Sequence, residues 1–461
     1  MKKSILKLGY CPTQREVFSR EAAIEYRKKI KDKISKFDIE IIDIEDIAAH
    51  GLIYELKDKE AIIKRFKEKE VDALFFPHCN FGSENLVAEI AAKFKKPTLI
   101  WGPRDDMPDK NGFRNRDSQC GMFATGKSLR RCNVNFTYIP NIRLEDERFD
   151  AEFDKFLRTA NVVKAMTNLR ILQISTRPMP FGCVTCNEGE LVEKFGIRIA
   201  PVTLQDVKKE VDAVKAENGA DLSETVKFIS SHSIEANLSE QILLVAALKV
   251  AIKRLCEKFG CRAAAIQCWD SLQDIFGIMP CLANSLLTDE GIPVACETDI
   301  HGAITAVMAQ AATLDTEPQF FADLTIRHPE NDNAELLWHC GNFPYSLAKN
   351  KENATVGRNL YNADKCFGIC EWELKEGHLT VLRFDGDKGE YKLFIGEGDT
   401  VEGPKNVASY VWIEVSDWEM WERKFVEGPY IHHVSSVYGS YSDVFKEACK
   451  YIDNLNADYT A

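Results

Sequence analysis

The 461-residue chain has no long apolar run: the longest, Ile242 to Leu248, stops at Lys249 and falls far short of a bilayer crossing. Its first residues, MKKSILKLGYCPTQRE, carry no small-residue cleavage site, and Lys7 breaks their apolar stretch, so they do not read as a secretory leader. No GxGxxG follows the first apolar segment, which argues against dinucleotide binding there. Zinc-finger pairing is also missing: Cys183-x-x-Cys186 is the only close pair, with no second CxxC or His pair at finger spacing. The 15 cysteines are odd in number and scattered, which fits reduced thiols in a reducing compartment and not a disulfide framework. Internal repeats and low-complexity tracts are absent. A net charge of −12 disfavours nucleic-acid and anionic-membrane partners, which select Lys/Arg-rich faces. A soluble, cytoplasmic protein is expected.

What is present is an alternation of strands and helices. The chain is too long for one hydrophobic core, so two to three domains are expected. Strand-like Ile5–Gly9, Phe37–Ile44, Val71–Pro77 and Pro97–Gly102 alternate with helical Glu16–Lys36, Asp58–Lys69 and Glu84–Phe94, the pattern of a parallel sheet. A second such unit runs from Arg170–Ser175 through helices Leu204–Glu217 and Ser239–Phe259, with Ser239 as an expected N-cap and 219–224 as a loop. It continues through strands Arg262–Cys268 and PVACE to helix Ile300–Ala312. From about Gln319 the texture becomes short β-type runs separated by Lys-Glu-Gly and Asp-Gly-Asp-Lys-Gly turns, closed by a helix over Ser440–Leu455. The expected fold is α/β: two Rossmann-like doubly wound α/β domains (1–165 and 166–318), then an antiparallel β-barrel-like domain (319–461).

Nine histidines can be weighed singly; His50, His232 and His378 lie among polar residues and read as surface positions. Glu297, in VACETDIHG, falls just past a strand and before a helix, where α/β enzymes assemble their sites. Asp323, in FFADLT, ends a similar apolar run. A strand-end carboxylate also caps helices, and Asp299 is read that way. For Glu297 and Asp323 the residues alone leave capping and chemistry both open. His432-His433 are adjacent imidazoles, of which strand alternation lets one face a given site. His339 lies on an apolar run, where a core role is the ordinary one. Two carboxylates with one imidazole suit Mn²⁺ or a similar octahedral ion, and three protein ligands leave positions for substrate oxygens.

The motifs CETDIHGAIT, FFADLT and the His-bearing VYG segment together resemble the L-fucose isomerase/L-arabinose isomerase superfamily. Phe76-Pro-His-Cys-Asn-Phe-Gly-Ser-Glu84, a strand ending in a Gly-Ser-Glu loop, and Asp117-Ser-Gln-Cys-Gly121, a Ser-Gln-x-Gly turn, match two further family pieces. The resemblance implies a metal-dependent aldose–ketose isomerase acting on a monosaccharide, using Mn²⁺ or another divalent ion such as Co²⁺ or Mg²⁺. It implies Glu297 and Asp323 as metal ligands and proton carriers, with His433 as the third ligand. It suggests Gln267, His339, His432, Arg15 and Asn80 at the substrate, His339 doubling as a reserve ligand. For Gln267, a core hydrogen bond is the equal alternative. A homo-oligomer, trimeric or hexameric, is also implied. The chain is shorter than typical fucose isomerases, and Cys79 or Asn80 replaces an aromatic residue, so the sugar stays open. An anionic sugar such as sulfoquinovose would need an arginine, drawn from Arg15, Arg20, Arg104, Arg114, Arg116 and Arg177. A non-catalytic sugar-binding protein is the rival from another class.

Overall fold

The computed structural model describes residues 3–233, 238–358 and 366–460. It divides into two compact units, Ser4–Lys164 and Ala165–Ala461. The first holds a five-stranded sheet in the order β2-β1-β3-β4-β5, with β1 Leu6–Tyr10, β2 Ile39–Ile42, β3 Ala73–Pro77, β4 Thr98–Trp101 and β5 Thr137–Tyr138. Every pairing in it is parallel. Strands β3 (ALFFP) and β4 (TLIW) are buried throughout, as strands covered on both faces must be. Helix Arg20–Ile34 begins where the Ser19 side chain accepts the Ala22 N–H. The Ser-Gln-x-Gly piece is not a free turn: Ser118 opens helix Ser118–Arg131. The Phe81 carbonyl lies where a Gly121 side chain would be, so the helix approaches the 79–84 loop at a distance only glycine permits.

The second unit opens with a four-stranded parallel sheet, order β7-β6-β8-β9, from β6 Arg170–Ile174, β7 Arg198–Val202, β8 Ala263–Ile266 and β9 Val294–Ala295. The chain leaves β6 toward β7 on one side and returns to β8 on the other. That reversal opens a crevice at the carboxyl ends of β6 and β8, the usual ligand position in open α/β sheets. Helix Ile300–Ala312 follows, buried at every position, with small and apolar residues around its whole circumference. It packs against β8, β14 and β17, and so joins the parallel sheet to the one that follows.

That third sheet has nine strands: β10 Phe320–Arg327, β11 Ala334–His339, β12 Thr355–Arg358, β13 Phe367–Glu373, β14 His378–Asp387, β15 Glu390–Val401, β16 Ser409–Val415, β17 His433–Tyr438 and β18 Leu455–Tyr459. Their order is β12-β13-β16-β11-β10-β17-β14-β15-β18, and β15 also pairs with β16. The sheet is mixed and not purely antiparallel, because β13–β16 and β15–β18 run parallel. The turn Lys388-Gly389 joins β14 to β15 with φ of 51° and 83°, the two left-handed residues of a tight hairpin. Lys375-Glu376-Gly377, by contrast, is a connection: β13 and β14 pair with other strands.

Three further expectations need correction. Residues 219–224 are not a loop: Gly219 caps helix Ala220–His232, which covers the rest and buries Leu222, Thr225 and Ile229 at helical spacing. Asp221 in its first turn is held by Lys249 and Lys253, which offsets the polarity of that segment. Helix Ser239–Phe259 begins at Ser239 itself, and Leu238 occupies the cap without a side-chain hydrogen bond. The closing helix is Ser442–Cys449, and the chain then forms β18 as a parallel partner of β15.

Two stability outcomes follow. Gly121→Ala should cost about 1–3 kcal/mol in urea unfolding, because the Phe81 carbonyl must give way. An unchanged midpoint would show that the loop adjusts freely. Glu335 on β11 is 3% exposed, and one of its carboxylate oxygens has no hydrogen-bond partner. Burial pushes its pKa up to about 7, with Arg327 opposing and Glu422 adding to the rise. The unfolded chain releases that proton near pH 4, so folding stability should fall as pH rises from about 4 to 7. Glu335→Gln should therefore unfold later than the native chain at pH 8 by roughly 2–3 kcal/mol, with the gap closing toward pH 4.

Candidate metal centre

Glu297 follows β9 in a short turn whose backbone is strained: Glu297 and Thr298 both adopt left-handed φ, 52° and 56°. Such a pair costs on the order of 1–3 kcal/mol per residue and persists only where the surroundings impose it. Here Thr298 N–H donates to Ile266 O at 3.0 Å, and Asp299 N–H donates to Cys296 O at 3.0 Å. The Cys268 thiol donates to Glu297 Oε1 at 3.1 Å. The turn thus fixes one carboxylate oxygen and leaves the other, Oε2, directed elsewhere.

Asp323 lies on β10 and pairs directly with His433 on β17, so cross-strand register alone sets those two side chains side by side. His339 is the last residue of β11. The four side chains converge. His433 Nε2 lies 3.6 Å from Glu297 Oε2 and 3.5 Å from Asp323 Oδ1. His339 Nε2 lies 3.8 Å and 4.0 Å from the same two oxygens. Glu297 Oε2, Asp323 Oδ1 and His339 Nε2 are all buried without a hydrogen-bond partner. Unpaired buried polar atoms are costly, and two carboxylate oxygens on either side of His433 Nε2 fit a bound cation. Ligands about 2.0–2.2 Å from a shared ion would themselves be roughly 3 Å apart; His433 Nε2 is near that distance from each carboxylate, and Glu297 and Asp323, which flank it in two separate groups, would have to draw together around the ion. The donors are carboxylate and imidazole, the set preferred by Mn²⁺-like ions.

Charge in the site is held by mutual pairing. Burial opposes ionisation of Glu297, but the His339 and His433 imidazoles outweigh it and keep the carboxyl below the ordinary glutamate range. Burial likewise opposes a charged His339, yet Asp323 and Glu297 lift its pKa well above the usual value. The two imidazoles differ in partners. His433 Nδ1 donates to Asp299 Oδ2 at 2.8 Å, which leaves Nε2 a bare lone pair. His339 Nδ1 accepts the Cys340 N–H at 2.8 Å, which puts the proton of its neutral ring on Nε2.

Of the other sequence candidates, Gln267 directly follows β8 at the crevice. Its Oε1 accepts from Ser175 Oγ at 2.7 Å, while Nε2 has only a long 3.5 Å contact to Ser271. His432 is exposed, yet its Nε2 also comes within 4.0 Å of Asp323 Oδ1. The alternation expected of a strand does not separate the pair, because β17 begins only at His433. Arg15 and Asn80 belong to the first unit. There Arg15 stacks on Phe81 at 4.1 Å and pairs with Glu84, while Asn80 is buried and spans the backbone of Arg15 and Ser19. Asp299 does cap helix Ile300–Ala312, as read from sequence, and it also grips His433. Missed altogether were Cys268, Arg383 and Asp385; the last two are charges inside the apolar run LTVLRFD, which was their signal.

The model for the N-terminal domain of fucose/sulfoquinovose isomerases matches residues 9–167, and that for the C-terminal domain of L-fucose isomerase matches residues 337–457. Together they span more than half the chain. The chain belongs to the L-fucose isomerase-like superfamily. It is an aldose–ketose isomerase, and the family is metal-dependent. Among curated relatives, a protein of Priestia aryabhattai named sulfoquinovose isomerase is 26% identical over 397 residues, 85% of each chain. Others with that name, from Alkalicoccus urumqiensis and Clostridium sp. (strain MSTE9), are each 24% identical, covering 87% and 72% of this chain and 87% and 73% of their own. No helix among the described residues is long and apolar enough to cross a membrane.

A cation held by these donors should stabilise the fold. After chelation, Mn²⁺ at a hundredfold excess over its Kd should add about 2.7 kcal/mol of unfolding free energy, visible as a raised melting temperature. A melting temperature that no divalent ion moves would remove the metal reading of the site.

Proposed function

We propose that Glu297, Asp323 and His433 hold a divalent cation, Mn²⁺ or a similar ion, and that the two carboxylates move the protons of an aldose–ketose isomerisation. The observation that carries this is that a buried, unpaired oxygen of each carboxylate flanks His433 Nε2, at 3.6 Å for Glu297 and 3.5 Å for Asp323. When bound, the cation polarises the two substrate oxygens and offsets the negative charge that develops on them. Isomerisation moves one proton between C1 and C2 and one between O1 and O2. A carboxylate held below its ordinary pKa is ionised at neutral pH and fit to take the first proton, and its conjugate acid returns it. The second carboxylate relays the hydroxyl proton. His339, with its hydrogen on Nε2, donates to a substrate oxygen in place of ligating. Gln267 Nε2, free of a short partner at the β6/β8 crevice, binds a sugar hydroxyl. The site is dry enough for these charges to act strongly, since Glu297, His339 and His433 are each at most 3% exposed.

The substrate we favour is a sugar with an anionic far end, of the sulfoquinovose type, which the names of the relatives support. Of the arginines considered from sequence, Arg177 alone lies in the unit that carries the donors. It is exposed just beyond β6, and its neighbour Thr176 accepts a hydrogen bond from Thr298 Oγ1 at 3.2 Å, which ties its loop to the Glu297 turn. A planar guanidinium matches a sulfonate bidentately.

Purified protein with Mn²⁺ should convert sulfoquinovose to its ketose, and exchange the C2 proton in D₂O, faster than it converts L-fucose or L-arabinose. Glu297→Gln should lower kcat by about 10²–10⁴-fold. Arg177→Met should raise KM for the anionic sugar while Mn²⁺ affinity stays unchanged. Turnover and exchange on no sugar, with Mn²⁺ bound, would sink the proposal; equal KM in the Arg177 variant would sink the assignment of the anionic end.

A further inference from the structure

Asp299 holds three groups at once. Its Oδ1 accepts the Gly302 N–H at 2.8 Å, and its Oδ2 accepts the His433 Nδ1–H at 2.8 Å. Both oxygens also receive the Arg383 guanidinium, Nη1 on Oδ2 and Nη2 on Oδ1 at 3.2 Å. Arg383 then turns to Asp385, with Nε at 2.8 Å and Nη2 at 2.7 Å. The two residues are two apart on β14 and share a face of the strand. Asp385 Oδ1 in turn accepts the His301 Nδ1–H at 2.8 Å. His301 lies in the first turn of the helix that Asp299 caps, and all five side chains belong to residues no more than 5% exposed.

Such a network is a poor stability device. Buried ion pairs repay their desolvation barely, and apolar side chains of equal volume would serve the core as well. Its geometry suits another purpose. A guanidinium clasping both Asp299 oxygens keeps that carboxylate an obligate acceptor, and the donor it holds on the side of the centre is His433 Nδ1. The proton of His433 is thereby pinned to Nδ1, and the lone pair of Nε2 points at Glu297 and Asp323. His339, lacking such a carboxylate, presents the opposite tautomer to the same point.

We propose that Asp299, Arg383, Asp385 and His301 form a positioning network that fixes the Nδ1–H tautomer of His433 and so sets the affinity and choice of cation at the centre. This rests on the reading of His433 as a ligand. Metal-bound histidines depend on such outer partners, whose loss costs about 10–100-fold in affinity. A misplaced nitrogen should penalise a borderline ion such as Co²⁺ more than oxygen-loving Mg²⁺.

The test uses the full chain, first free of cation. ¹⁵N NMR of the imidazoles should show His433 protonated at Nδ1, and Arg383→Met should lose that fixed Nδ1–H. Calorimetry should then show Mn²⁺ binding weakened about 10–100-fold, with Co²⁺ losing more than Mg²⁺ and Arg383→Lys recovering part of the loss. If Arg383→Met does not fold, the charge-paired Arg383→Met/Asp385→Asn variant carries the same measurements. A His433 tautomer that survives the substitution, or a loss equal for all three ions, overturns the proposal and leaves a merely structural role. A native chain that shows the Nδ1–H tautomer but binds no divalent ion overturns the metal-centre reading instead, and with it the cation half of this inference.

Discussion

Two buried carboxylate oxygens, neither with a hydrogen bond, dictate the rest of the site. Glu297 Oε2 and Asp323 Oδ1 each lie within about 4 Å of the same two imidazole nitrogens, and neither has a hydrogen bond. Carboxylates gathered around the same two imidazoles, away from water, need a counter-charge. On the proposed reading a cation supplies it, and histidine suits that role where lysine would not, since a ligand must offer a lone pair. The same requirement accounts for the strained turn at Glu297, which holds one oxygen to Cys268 so that the other is free.

The fold meets this constraint by bringing two sheets to one helix. The parallel sheet delivers Glu297 from the end of β9, and the mixed sheet delivers Asp323, His339 and His433 from β10, β11 and β17. Helix Ile300–Ala312 lies between them, and Gly302 in its first turn is obligatory because a side chain there would meet the Phe321 ring and Asp299. Rigid elements on three sides suit a centre whose ligands must stay within a few tenths of an ångström. The crevice between β6 and β8 places Gln267 at the same end of the parallel sheet, as the reversal of strand order requires.

Much of this was legible in the sequence. The carboxylates announced themselves by position: a charged residue ending an apolar strand run has few uses besides capping and chemistry. Helix Ile300–Ala312 was read with both ends correct, because its apolar composition and Asp299 cap are local signals. Segment 219–224 was misread for the converse reason. Its polar residues look solvated until Lys249 and Lys253, far along the chain, neutralise Asp221. Strand β18 escaped notice because its alternation is weak, and it exists only through pairing with β15.

The sequence by itself determined the types of donor, the alternation of strand and helix and the turn at Lys388-Gly389, all set by neighbours within a few residues. Only the tertiary structure decided which nitrogen of which histidine faces the carboxylates. His432 and His433 are adjacent in sequence and alike in chemistry, and cross-strand register with Asp323 and the hydrogen bond to Asp299 separate them. The tautomers of His433 and His339 differ because one ring meets a carboxylate 134 residues away and the other meets its own neighbour's N–H. Proton position is a property of partners, and partners are assigned by folding.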